Sequence, residues 1–95
     1  MEGVLWYLLA STRGSANRVR IVRALDEQPR NANQLATELD LDYKTVQHHL
    51  EVLIENNVLR RTDNDYAAVY LFTEQAEDHW ALLQEVLETV DPEGA

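Results

Sequence analysis

Apolar residues recur along this chain at two periods, and the switch between them divides it into elements. Val4 to Ala10 is one unbroken apolar run, so Met1 to Ala10 reads as a short apolar helix ended by the break Ser11-Thr12-Arg13-Gly14-Ser15. Ser15 is placed to cap a second helix over Ala16 to Glu27, whose stripe Arg18, Ile21, Val22 and Leu25 follows i, i+3, i+4 and i+7 before Pro29 ends it. Asn31 caps a third helix of about eight residues carrying Leu35, Ala36 and Leu39. Asp40-Leu41-Asp42 then turns the chain sharply, and Asp42 caps a fourth helix over Tyr43 to Asn56. Val46, Leu50 and Leu53 face inward on it, which puts Lys44, Gln47, His48, Glu51 and Glu55 on the solvated side.

After Asn57 the pattern becomes that of strands. Val58-Leu59-Arg60-Arg61-Thr62, a turn at Asp63-Asn64-Asp65, and Tyr66 to Phe72, rich in β-branched and aromatic residues, predict a β-hairpin. Thr73 caps a last helix reaching Val90, with Glu74 and Glu77 favourably placed at the positive end of its dipole. Along that helix Ala76, Trp80, Leu83, Leu87 and Val90 recur at spacings of four, three, four and three, a coiled-coil-like seam flanked by Leu82 and Val86. One small core is expected to be too little to bury both this seam and the first helix. The pattern therefore predicts a homodimer built on residues 1–10 and 74–90, with Leu5, Leu8, Leu9, Trp80, Leu83 and Leu87 at its interface. The expected fold is mainly α with a small β-hairpin, as a single domain over residues 1–95.

A chain of 95 residues buries only about two-thirds of its unfolded surface, so a multidomain enzyme is not expected. It has no cysteine, which excludes disulfides, thiolate metal sites and thiol redox chemistry. The longest apolar run, seven residues, falls far short of the roughly 20 needed to span a bilayer, and the start Met1-Glu2 is acidic where a secretory leader is basic. These features lead us to expect a cytoplasmic domain with no membrane partner. The net charge of −9 is unevenly spread: all eight basic residues lie between Arg13 and Arg61, where seven acids leave a balance of +1. From Thr62 to Ala95 there are nine acids and no base. The middle of the chain can thus meet a negatively charged partner despite the overall acidity. With seven arginines, one lysine and this many acids, the composition resembles that of cytoplasmic proteins from extreme halophiles, whose acidic surfaces stay soluble in strong salt.

The order helix, helix, turn, helix, hairpin, helix is that of a winged helix domain. Residues Leu41 to Leu53, L-D-Y-K-T-V-Q-H-H-L-E-V-L, resemble the ArsR-type regulators, in which this stretch reads roughly L-S-x-x-T-V-S-H-H-L-x-V-L. The likeness extends upstream through Arg18-Val19-Arg20-Ile21-Val22 and Leu25 and downstream through Val58-Leu59 and Val69-Tyr70 to Thr73, covering about residues 15–75. It implies a winged helix-turn-helix and a dimeric transcriptional regulator. Asp40 and Asn57 stand where that family usually has glycine, and both are residues that tolerate a left-handed backbone. Metal-sensing members use cysteines near the third helix or paired Asp and His on the last. Here His79 beside Asp78 has no second histidine one helical face on, so neither a metal nor another cofactor is expected.

Given that resemblance, Lys44, Gln47 and His48 would reach base edges from the first turns of a recognition helix, and Tyr43 and Thr45 would touch phosphate or a thymine methyl. Glu51 and Glu55 repel phosphate, so only the first half of the helix would lie deep in the groove. Arg30, Asn33 and Gln34 open the third helix, where amides and polar side chains hold a phosphate. Arg60 and Arg61 flank the hairpin tip and would lie along the backbone or minor groove, one on each face of the strand, although the tip itself carries Asp63 and Asp65. His49 is expected to be a packed, hydrogen-bonded structural residue and Arg18 a structural ion-pair partner. The function this predicts is a sequence-specific regulator that binds double-stranded DNA as a homodimer on a promoter operator. The alternative is a winged-helix protein-interaction module whose acidic C-terminal third addresses a basic partner. No paired acids, nucleophile with a base, or glycine-rich phosphate loop is visible, so no catalytic residue and no enzymatic activity are expected.

Overall fold

The computed structural model describes residues 1–62 and 68–91. The expected hairpin turn at Asp63-Asn64-Asp65, the strand start at Tyr66 and the tail at Pro92 lie outside the described residues. The chain begins with α1, Glu2–Trp6, which widens into a π-helical turn over Tyr7–Ser11. The Ser11 hydroxyl donates to the Trp6 carbonyl at 3.3 Å, and the Leu8 carbonyl is taken by an arginine from the next helix, so side chains enter the carbonyl ladder where it widens. α2 spans Ser15–Glu27, α3 Ala32–Leu39 and α4 Tyr43–Glu55. β1, Leu59–Arg61, pairs antiparallel with β2, Tyr70–Phe72, in the register Leu59 to Phe72, Arg60 to Leu71 and Arg61 to Tyr70.

Local chemistry sets most helix ends. Asn31 and Gln34 form a reciprocal capping box on α3, and the Asp42 carboxylate accepts from the Lys44 and Thr45 amides at the start of α4. Asp40 (φ 54°) and Asn57 (φ 61°) take the left-handed backbone that ends α3 and turns the chain after α4. Thr73 does two jobs: its hydroxyl oxygen accepts from Ala76 N at 3.0 Å and its hydroxyl donates to Asn57 O at 2.6 Å. Ser15, expected as a cap, is instead the first residue of α2, and the capping position belongs to Gly14 at φ 87°. The last helix is also not continuous. It breaks at His79 into α5, Glu74–Asp78, and α6, Trp80–Val90.

Four of the seven arginines act as clasps on helix C-terminal carbonyls. Arg18 Nε donates to Leu8 O at 2.8 Å, Arg20 to Leu39 O at 2.5 Å, Arg23 to Leu87 O at 3.1 Å and Asp91 O at 2.8 Å, and Arg30 to Ala24 O. Each therefore adds a side-chain donor to carbonyls at a helix end, beside the backbone amides of Gln28 and Asp91 that also reach Ala24 O and Leu87 O. A planar fork of donors suits this better than an ammonium does, which gives the arginine-for-lysine bias a structural cause inside the fold. Arg18, expected to pair with an acid, has neutral partners among the described residues: Leu8 O, Arg13 O, the Thr12 hydroxyl and His49.

The core corrects the expectation of two apolar helices too large to bury together. Leu5, Leu8 and Leu9 of the first helix and Leu83 and Leu87 of α6 are all 2 % exposed or less, in one cluster with Ile21, Val22, Leu35, Val46, Leu50 and Leu53. The two apolar stripes face each other and share this core, so none of those five leucines offers surface to a partner chain. Trp80, half-buried, meets Phe72 of β2 edge-on with ring centroids 4.9 Å apart.

Candidate nucleic-acid interface

α3, the turn over 40–42 and α4 make a helix-turn-helix, and the hairpin stands beside it. One backbone bond fixes that neighbourhood: Tyr70 N donates to Arg30 O at 3.0 Å, joining β2 to the residue before α3. The fixed hairpin closes a polar cleft of about 190 Å³ lined by Asn31, Ala32, Asn33, Tyr43, Arg61, Ala68 and Tyr70. Three residues expected to touch DNA, Asn33, Tyr43 and Arg61, are thereby brought together from three separate elements. Tyr70 completes the cleft. It was not singled out from the sequence, although its strand position opposite Arg61 was a usable signal.

The Tyr70 phenol is pushed above its ordinary range by burial, and the nearby Arg61 guanidinium, which hydrogen-bonds to it, acts the other way. It is therefore a neutral donor near pH 7. Beside the cleft the first two turns of α4 expose Tyr43, Lys44, Gln47 and His48. Gln47 Nε2 donates to Tyr43 Oη at 3.1 Å, which orients the amide one turn into the helix. Thr45 is half-buried, and Arg60, next to Arg61 on the strand, projects from the other face of the ribbon and is also exposed.

Two residues depart from the expected set. Arg30 was expected to hold a phosphate, but it is 8 % exposed and turned inward, where it pairs with Glu38 and, at 3.4 Å, with Glu27 while donating to Ala24 and Gln28 carbonyls. Its charge is already balanced within the protein. Gln34 is exposed, but its side-chain oxygen accepts from Asn31 N at 2.9 Å, so half of its hydrogen-bonding capacity is spent on the capping box. His49 is 6 % exposed, with Nδ1 3.2 Å from Arg18 Nη1, a packed and hydrogen-bonded residue. With Arg18, Arg20, Arg23 and Arg30 committed to carbonyls, Lys44 on α4 and Arg61 in the cleft are the exposed cations beside the helix-turn-helix, and Arg60 lies on the other face of the ribbon. Among the described residues no three of His, Cys, Asp and Glu converge as a metal site, and no helix is long and apolar enough to cross a membrane.

Residues 15–61 match the family model described as bacterial regulatory protein, arsR family, a span that begins with α2 and ends with β1. The fold is a winged helix-turn-helix. Among solved structures this winged helix is similar to the adhesin competence repressor AdcR of Streptococcus pyogenes, with a TM-score of 0.64 and 19% identity over 79% of this chain and 56% of that one. It is also similar to a MarR family protein from Bacillus stearothermophilus, with a TM-score of 0.63 and 15% identity over 96% of this chain and 61% of that one. A protein of the thermoacidophilic archaeon Sulfolobus tokodaii is matched over 99% of this chain and 94% of its own, with a TM-score of 0.58 and 19% identity. The chain spans between 56% and 63% of the first three structures it matches. No curated protein matches it at the level of sequence. In the winged helix so defined, α4 is the second helix of the helix-turn-helix and β1 with β2 the wing.

Proposed function

We propose that this protein is a transcriptional regulator that binds double-stranded DNA sequence-specifically as a homodimer. The observation that carries the reading is the exposed start of α4, Tyr43, Lys44, Gln47 and His48, standing beside a cleft that Asn33 and the wing residue Arg61 share. Lys44, Gln47 and His48 are assigned to base edges and the adjoining phosphate. Tyr43, Thr45, Asn33, Gln34, Arg60 and Arg61 are assigned to the backbone. Arg30 acts behind them, since its carbonyl holds Tyr70 and its guanidinium the end of α2.

The homodimer is proposed through the outer side of residues 1–10 rather than through the buried leucines. Gly3, Tyr7 and Ala10 fall four and three residues apart and are exposed together, Tyr7 by 61%, with Trp6 half-buried beside them. An uncharged apolar stripe in so acidic a chain supports coverage by a second copy. Two reading heads would then face a two-fold operator. The remaining proposals are that no metal takes part, that the protein works in the cytoplasm, and that its acidity suits concentrated salt.

The test is selection of bound sequences from random DNA at low and near-molar potassium, followed by two variants. Lys44→Ala should weaken binding to all sequences alike and lower the salt slope by about one unit, while Gln47→Ala should cost roughly 1–3 kcal/mol on the selected operator and little elsewhere. If both variants keep wild-type affinity and selectivity, α4 is not the reading head. Failure to enrich any sequence would favour the protein-interaction reading, for which the base-free stretch after Thr62 is the basis.

A further inference from the structure

DNA reading leaves one buried charged cluster unused. Arg18 of α2 is 5 % exposed and His49 of α4 is 6 % exposed. The Arg18 guanidinium donates through Nε to Leu8 O at 2.8 Å and through Nη2 to the Thr12 hydroxyl and to Arg13 O at 3.4 Å, and its Nη1 lies 3.2 Å from His49 Nδ1. A guanidinium has donors only, so His49 Nδ1 must accept, which fixes the ring as the neutral tautomer with its proton on Nε2. Gly14 closes the adjoining Cε1 edge of the ring, next to the guanidinium, with its Cβ position 3.6 Å from Arg18 Nη1. A Cβ there would stand 2.7 Å from His49 Cε1, and the backbone is at φ +87°. The imidazole is therefore bounded on adjoining edges by one guanidinium and one glycine.

This rigid, planar group touches three parts of the protein at once: the end of the first helix at Leu8, the loop at Thr12 and Arg13, and α4 at His49. His48, the next residue along, is exposed on the reading side with its ring centroid 5.6 Å from that of His49. Any shift of the first helix at Leu8 must either break a bond to Arg18 or carry His49 with it.

We propose that Arg18 and His49 are positioning residues that tie the placement of the first helix to the reading turns of α4, so that a second copy docking on the first helix changes DNA affinity through this one guanidinium. The regulatory part rests on the function proposed above, whereas the mechanical link stands without DNA. Among the described residues the charged and titratable groups that act on His49 are Arg18 from α2 and His48 on its own helix, while Tyr7 of the first helix acts on Arg18. None of these supplies a negative charge near neutrality. Burial, then Arg18, then His48 hold the His49 ring below the ordinary histidine range, so the link is closed at neutral pH and opens on the acid side.

The experiment is a pH titration of the full chain by nitrogen-15 NMR, paired with anisotropy on the selected operator. His49 Nδ1 should be unprotonated at neutral pH, and the amides of Leu8, Thr12, Arg13 and Gln47 should move with the midpoint at which His49 titrates. His49→Leu, which removes the acceptor, should shift the first-helix amides and weaken operator binding about tenfold. His49→Asn, whose Oδ1 stands where Nδ1 did, should stay within twofold of wild type. Gly14→Ala crowds both the ring at Cε1 and Arg18 Nη1 and should reproduce the His49→Leu pattern, and it decides the matter with the wild-type titration if His49→Leu does not fold. A proton on Nδ1, amides of Leu8 and Thr12 that stay still while His49 titrates, or equal binding by folded His49→Leu and His49→Asn would each overturn the proposal. Should the wild type bind no DNA at all, the proposed function fails while the amide shifts still decide the link.

Discussion

Leu83 separates a core built by one chain from a core completed by two. Its side chain is 0 % exposed within a single chain and packs in the cluster that holds Leu5, Leu8 and Leu50. Truncating a leucine to alanine costs about 2–5 kcal/mol through lost transfer energy and the cavity left behind, with full burial favouring the middle of that range or above. We therefore expect Leu83→Ala to lose about 3 kcal/mol. A domain of this size has about 5–15 kcal/mol in all and moves its Tm by about 4–8 °C per kcal/mol, so the variant should melt about 12–24 °C lower yet remain folded at room temperature. The assay is urea unfolding followed by far-ultraviolet circular dichroism, repeated over a hundredfold range of protein concentration. Dimerisation elsewhere would move both midpoints in parallel, leaving the gap between wild type and variant constant. A loss under about 1 kcal/mol, or a gap that closes as concentration rises, would show that a partner chain covers Leu83 and would refute the reasoning.

Three further outcomes follow from particular contacts. Because the folded protein holds His49 below its ordinary range, the unfolded chain takes up that proton first, so this residue's share of stability is present above about pH 6.5 and declines as the pH falls toward its folded value; His49→Asn should flatten that component in urea titrations at pH 7.5 and 5.5. Thr73→Val removes both the cap on α5 and the bond to Asn57 O and should cost about 1–2 kcal/mol, read from the thermal midpoint. Asp40→Ala should destabilise by about 1 kcal/mol, because at φ 54° alanine lacks the short polar side chain through which aspartate tolerates the left-handed region, whereas Asp40→Gly, with no Cβ, should cost nothing or stabilise; equal losses in the thermal midpoint would mean that the carboxylate and not the backbone matters.

What could be read from the sequence was mostly local. Asn31, Asp40, Asp42 and Asn57 mark helix boundaries through bonds or dihedral preferences that reach no further than a few residues, and each sits at such a boundary in the structure. The apolar stripes were equally visible, but a stripe does not name what it packs against. The leucines of the first helix and of α6 turned out to bury one another within one chain. Long side chains were the other source of error. Arg30 is held by Glu38, eight positions on and outside any i, i+4 rule, so its withdrawal from the surface depends on how α3 folds back. The cleft likewise needs Tyr70 to reach Arg30 across forty residues of chain, a pairing that no periodicity encodes. The break at His79 carries neither glycine nor proline to announce it.

If the protein reads DNA as proposed, the backbone bond from Tyr70 to Arg30 has a mechanical meaning for operator choice. Arg61, paired with Tyr70, and Lys44, on the helix after the turn, are held on one frame rather than on separately moving parts. A duplex that engages both would have to match the spacing that this bond sets between them, in curvature and groove width. Operators would then be ranked partly by how readily their base steps bend, and flexible pyrimidine–purine steps would be favoured at positions that no side chain touches.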